Sequence, residues 1–93
     1  MQSTKESARI AHNRVIWHSR RGMLELDIVL EPFARDCYAG LDSDAQADYR
    51  RLLECEDQQL YDWLLKKSAA DDAALEGIID TILLQHSRRT AGT

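Results

Sequence analysis

Gly22-Met23-Leu24-Glu25-Leu26-Asp27-Ile28-Val29-Leu30-Glu31-Pro32-Phe33-Ala34-Arg35-Asp36-Cys37 is the stretch on which the fold class turns. Its early residues, Glu25-Leu26-Asp27-Ile28, alternate acidic and apolar side chains as a half-buried strand would. The alternation stops at Val29. From there Leu26, Leu30, Phe33 and Cys37 fall on one helical face, while Asp27, Glu31 and Arg35 form a separate polar stripe. Glu31 stands N-terminal to Arg35, the better orientation for an ion pair across one helical turn. The consistent reading is a helix. Pro32 removes one backbone hydrogen bond and is expected to kink that helix or stop it early.

Working outward, the same spacing recurs. Ser43 with Gln46 has the separation of a capping box, and Ala45, Tyr49, Leu52 and Leu53 give the following helix an apolar face that runs to about Glu54. Asp57 is expected to cap a short helix whose stripe is Leu60, Tyr61, Leu64 and Leu65. Trp63 projects off that stripe, where it can pack against a neighbouring helix or offer an aromatic to a partner. The clearest helix is the last, with Leu75, Ile78, Ile79, Ile82, Leu83 and His86 in register and Asp71 and Asp72 at its positive end. Gly77 within it costs about 1 kcal/mol against Ala, which predicts that another helix approaches closely there. The first helix, from about Ser3 to Ser19, has the least clean periodicity and is expected to be the most loosely specified element. No segment carries a hairpin signal. The expectation is an all-α chain, a compact antiparallel bundle of five short helices forming one domain over 1–93, with 1–7 and 88–93 as flexible tails.

Composition agrees. A chain of 93 residues with 44% hydrophobic residues, one Pro and four Gly has the make-up of a single folded core. Its longest apolar runs, such as Ile28-Val29-Leu30 and Ile82-Leu83-Leu84, fall far short of the ~20 residues of a membrane span. No insertion into a membrane is expected. Cys37 and Cys55 lack any paired spacing for zinc or a disulfide framework and read as reduced core residues. The N-terminus lacks the apolar stretch of a secretory signal, so a bacterial cytoplasm, or a mature chain trimmed of a transit peptide, is expected. The net charge is −4, divided into +4 over residues 1–21, −10 over 22–87 and +2 from Arg88 and Arg89. An acidic body repels phosphate backbones, which argues against a nucleic-acid partner.

Little here suggests chemistry. His12, His18 and His86 lack helical partner spacing for a metal, the glycines are scattered singly, and no nucleophile and base can be paired from spacing. The unusual element is Arg20-Arg21-Gly22-Met23-Leu24-Glu25-Leu26-Asp27, at the joint between the basic edge and the acidic body. If Gly22 is an N-cap, Glu25 occupies the third helical position and can serve the free backbone N–H groups. Gly22→Ser is then expected to cost little stability. That explains Glu25 but not the paired arginines, since cations at a helix N-terminus are disfavoured. The alternative is a docking site, in which Gly22 admits another backbone and the flanking Arg and Glu make charge-assisted hydrogen bonds to it.

Arg14, Trp17, Arg20-Arg21-Gly22-Met23, Glu25, Leu26 and Asp27, followed by Pro32-Phe33, Arg51-Leu52-Leu53-Glu54 and Asp62-Trp63-Leu64, resemble the SdhE family of succinate dehydrogenase assembly factors. The resemblance runs from about Ala8 to Leu84. It implies a five-helix bundle, a chaperone rather than an enzyme, that binds the flavoprotein subunit of succinate dehydrogenase, and often of fumarate reductase, and promotes covalent attachment of FAD to a histidine of that subunit. It implies no stably bound cofactor in the factor itself and leaves direct contact with FAD open. The family's Arg-Gly-x-x-Glu element maps onto Arg21, Gly22 and Glu25, with Arg20 and Asp27 beside them; Arg14 and Trp63 complete the expected partner-binding set. Leu24 departs from the family, where a polar or basic residue is frequent. A monomer is expected. An antitoxin-like binding role is the alternative within the same resemblance, whereas an oxidoreductase with its own flavin would need a phosphate cradle that the sequence lacks.

Overall fold

Each stretch with helical spacing becomes a helix in the computed structural model, which describes residues 4–91. Helix α1 spans Thr4–His18, α2 Leu24–Asp36, α3 Ser43–Leu53, α4 Asp57–Leu64 and α5 Ala73–Ala91, and a 3₁₀ turn at Tyr38–Gly40 joins α2 to α3. No strand occurs among the described residues, as the all-α reading requires. Of the expected tails, residues 1–3 and 92–93 lie outside the described residues, while 4–7 and 88–91 continue α1 and α5.

The strand-or-helix segment is the centre of the molecule. Helix α2 packs against α1, α4 and α5, and α5 also takes α3. Leu26, Leu30, Phe33 and Ala34 of α2 are buried, and the 3₁₀ turn adds Tyr38. Facing them are Tyr49, Leu52 and Leu53 of α3, Leu60 and Leu64 of α4, and Leu75, Ile78, Ile79 and Ile82 of α5. Each large apolar side chain removed from water contributes about 1.5–3 kcal/mol, which is why helices too short to stand alone persist here. The Phe33 and Tyr38 rings lie 5.2 and 5.7 Å from that of Tyr49, with tilted planes that suit aromatic quadrupoles. Burial pushes the Tyr49 hydroxyl well above its ordinary pKa. That hydroxyl is satisfied by the fully buried Ser19 Oγ at 2.7 Å and the Leu30 carbonyl at 3.3 Å. Ser19 in turn donates to the Val15 carbonyl at 2.8 Å, so the C-terminal end of α1 is tied into the core by a polar contact.

The helix starts differ from the expected ones by one residue in three places. Asp42, not Ser43, caps α3, its carboxylate accepting from the Ala45 N–H at 2.8 Å. Glu56, not Asp57, caps α4 in a capping box with Gln59. Met23, not Gly22, is the N-cap of α2. Asp72 does serve the positive end of α5, accepting from the N–H groups of Ala74 and Leu75. Helix α2 runs through Pro32 to Asp36 rather than stopping early. Gly77 is exposed, and a Cβ built there would meet nothing within 4 Å, so the close helix approach predicted from it does not occur. The two cysteines are free and half-buried against the edge of the core rather than inside it.

Candidate functional site

Between α1 and α2 the chain turns through Ser19-Arg20-Arg21-Gly22-Met23, and the turn is held by its own residues. Asp27, one turn into α2, accepts the Arg21 backbone N–H at 2.7 Å. Gly22 then takes φ +80°, the left-handed region where an L side chain is strained. Its glycine is therefore required by the backbone, not by capping. With Met23 as N-cap, Glu25 is the second residue of the helix rather than the third.

Arg21 answers the question that its position raised. Its side chain is only 12% exposed and points away from the α2 N-terminus towards two helix C-termini. Nη1 donates to the carbonyls of His18 (3.0 Å) and Leu53 (2.9 Å), the last residues of α1 and α3. Nη2 donates to the Cys55 carbonyl at 3.0 Å, and Nε pairs with Asp57 at 2.8 Å. Four hydrogen bonds from a guanidinium with five N–H groups commit nearly all of its donor capacity inside the chain. A cation is favoured at helix C-termini, so the dipole argument that made Arg21 anomalous beside α2 makes it stabilising here. The Asp57 contact was missed because the residue reads equally well as a cap.

What this clamp displays is the pair Gly22 and Glu25. Open space surrounds Gly22, with nothing within 4 Å of a built Cβ. Glu25 is exposed, and its carboxylate makes no hydrogen bond or ion pair among the described residues. Arg20 is exposed too, its guanidinium 5.2 Å from the Trp17 ring centroid and its Nε 3.9 Å from Glu31. Trp17 is itself 70% exposed, on a helix whose weak periodicity gave no sign of which face is free.

The remaining expected site residues lie elsewhere. Arg14 is exposed on α1, along an open groove between α1 and α3 lined also by His18, Arg50 and Glu54. Trp63 is half-buried and packs against the core, the first of the two readings its position allowed. Thus Arg20, Arg21, Gly22, Glu25 and Asp27 form one turn, and Arg14 and Trp63 stand on other helices.

Residues 13–86 match the family described as flavinator of succinate dehydrogenase. The protein named FAD assembly factor SdhE from Pseudomonas aeruginosa is 50% identical over 70 residues, covering 75% of this chain and 83% of the relative. Its namesake from Pseudomonas syringae pv. syringae is 48% identical over 71 residues, covering 76% and 84%. A third, from Vibrio vulnificus, is 37% identical over 83 residues, covering 89% and 91%. The match runs from the last third of α1 through α2, α3 and α4 into α5, taking in the clamped turn and Trp63, and with it the chain belongs to the succinate dehydrogenase flavinator family, whose members are assembly factors rather than catalysts of a reaction of their own.

Proposed function

We propose that this chain binds the flavoprotein subunit of succinate dehydrogenase through the Arg20–Asp27 turn and promotes covalent attachment of FAD to that subunit. The observation that carries this reading is the contrast within the turn: Arg21 and Asp27 are consumed in fixing its shape, while Gly22 and Glu25 are exposed and find no partner among the described residues. A carboxylate held in place without an internal hydrogen bond or ion pair is suited to pairing with a cation on another surface, and a bare backbone beside it permits close approach. In this reading the factor acts as a monomer in the bacterial cytoplasm, holds no cofactor of its own, and extends its service to the flavoprotein subunit of fumarate reductase. It accelerates attachment by binding the attachment-competent conformation of the subunit more tightly than the others, since a binder shifts an equilibrium only by its difference in affinity. No observation favours the antitoxin alternative.

The test is to mix purified chain with apo-flavoprotein subunit and FAD and to follow covalent flavin by in-gel fluorescence. The parent chain is expected to raise the attachment rate and Glu25→Gln to abolish most of that gain. If Glu25→Gln binds the subunit and supports attachment at the parental rate, the turn is not the contact surface.

A further inference from the structure

Beside Glu25 lies a second surface that the motif does not include. Leu26, Ile28 and Val29 of α2, Tyr61 and Leu64 of α4 with Leu65 just beyond it, and Leu83 and His86 of α5 enclose a groove of about 230 Å³ that is almost wholly apolar. Glu25 stands in its wall as the sole carboxylate. Ile28 and Leu65 are 52% and 50% exposed in a molecule with a fully buried core available to both helices. Ile28 falls between the buried stripe residues Leu26 and Leu30, and so faces away from the core that α2 organises.

We infer that this groove is the partner-binding extension of the turn, and that it takes an amphipathic segment of the flavoprotein subunit: one or two large apolar side chains seated between Ile28 and Leu65, with a Lys or Arg of the same segment paired to Glu25. The inference rests on the proposed binding of that subunit and specifies its chemistry. Charge complementarity selects the occupant. An apolar side chain alone would fill the groove but leave Glu25 unpaired at a surface from which water is being removed, a cost that a basic neighbour on the segment turns into a gain. The volume admits one or two side chains, not a whole helix face, which confines the apolar requirement to an anchor. Continuity argues the same way, because Glu25 belongs both to the groove wall and to the turn.

The experiment measures affinity for the apo-flavoprotein subunit by calorimetry, using Ile28→Asn, Leu65→Asn and the control Leu84→Asn. Leu84 is equally exposed, at 51%, but lies outside the groove. All three positions are solvent-facing, and circular dichroism melts confirm that each variant folds. Ile28→Asn and Leu65→Asn are each expected to weaken binding tenfold or more, with Leu84→Asn within twofold of the parent. Parental affinity in both groove variants, alongside a loss in Glu25→Gln, overturns the groove and leaves the proposed function standing. No binding by the parent chain overturns both. Sedimentation showing that the parent self-associates, and that Ile28→Asn abolishes it, replaces the flavoprotein segment with a second copy of this chain and also overturns the inference.

Discussion

At the scale of single residues, the Arg-Gly-x-x-Glu element divides into two kinds of work. Arg21 closes the C-terminal ends of α1 and α3 and reaches the start of α4, so its loss leaves several carbonyls and Asp57 unpartnered at once. Hydrogen bonds from a charged donor contribute about 1.5–3 kcal/mol each, are not additive, and are screened where Asp57 meets solvent. Arg21→Ala is therefore expected to lower the unfolding free energy by about 2–3 kcal/mol, and Arg21→Lys to recover little, because an ammonium cannot reproduce the planar fork. Gly22→Ala or Gly22→Ser costs about 1–2 kcal/mol through the left-handed backbone alone, so the small effect expected of a capping position gives way to a loss. Glu25→Ala, by contrast, removes only a first-turn carboxylate, at most about 1 kcal/mol. Urea unfolding of the five variants checks the ranking, and a Glu25 variant as unstable as Arg21→Ala would refute the division.

At the scale of elements, the ends of helices are where reading and structure part. The stripes Leu26/Leu30/Phe33, Leu60/Leu64 and Leu75/Ile78/Ile79/Ile82 were legible because burial repeats with the helical period. The caps slipped by one because Asp42-Ser43 and Glu56-Asp57 each place two competent oxygens side by side, and only the backbone turn decides which is used. Arg21 was illegible for a different reason: three of its four acceptors lie 32 to 36 residues away, and all but Asp57 are carbonyls, which every residue possesses. Element ends also carry acid sensitivity. Hydrogen bonds from Arg89 and Arg51 hold the carboxyls of Asp36 and Asp72 below their ordinary value of 3.8, joining α2 to α5 and α3 to the start of α5. A carboxyl lowered in the folded state stabilises above its unfolded pKa and loses that contribution as pH falls through the folded one. Stability is thus expected to drop as pH passes below about 3.8, the unfolded reference for both groups. Urea midpoints recorded from pH 6 downward should fall less steeply in the Asp36→Asn, Asp72→Asn double variant. An unchanged slope would show that these two pairs do not contribute to acid unfolding.

At the scale of the whole molecule, stability is distributed unevenly along the chain. Among the described residues, helix α1 places one apolar side chain, Val15, in the buried core, whereas α2, α3 and α5 place three or four each. Beyond Val15 the helix is secured mainly near its end, by Ser19 against Tyr49 and by Arg21 on the His18 carbonyl; before it, His12 ties it down among the described residues, with Nε2 at 2.6 Å from the Ala34 carbonyl and the ring stacked on Tyr38. This explains why its periodicity read as the least clean: a helix that buries a single stripe residue has little pattern to show. Elements with few buried apolar contacts open with free energies well below that of global unfolding. Backbone amides of residues 7–13 are therefore expected to exchange at least tenfold faster than those of α3 and the first three turns of α5, while the hydrogen-bonded amides of the turn, Ser19, Arg21, Leu26 and Asp27, stay protected with the core. The consequence for binding is specific. A turn that remains folded while the helix before it frays keeps Gly22 and Glu25 in a fixed geometry, so a partner need not spend affinity on ordering them. Hydrogen exchange read at residue resolution, with the chain alone, decides the matter: exchange of the Arg21, Leu26 and Asp27 amides in step with residues 7–13 would mean that the turn is ordered only on binding, and the Arg21 clamp would lose its role as the source of pre-organisation.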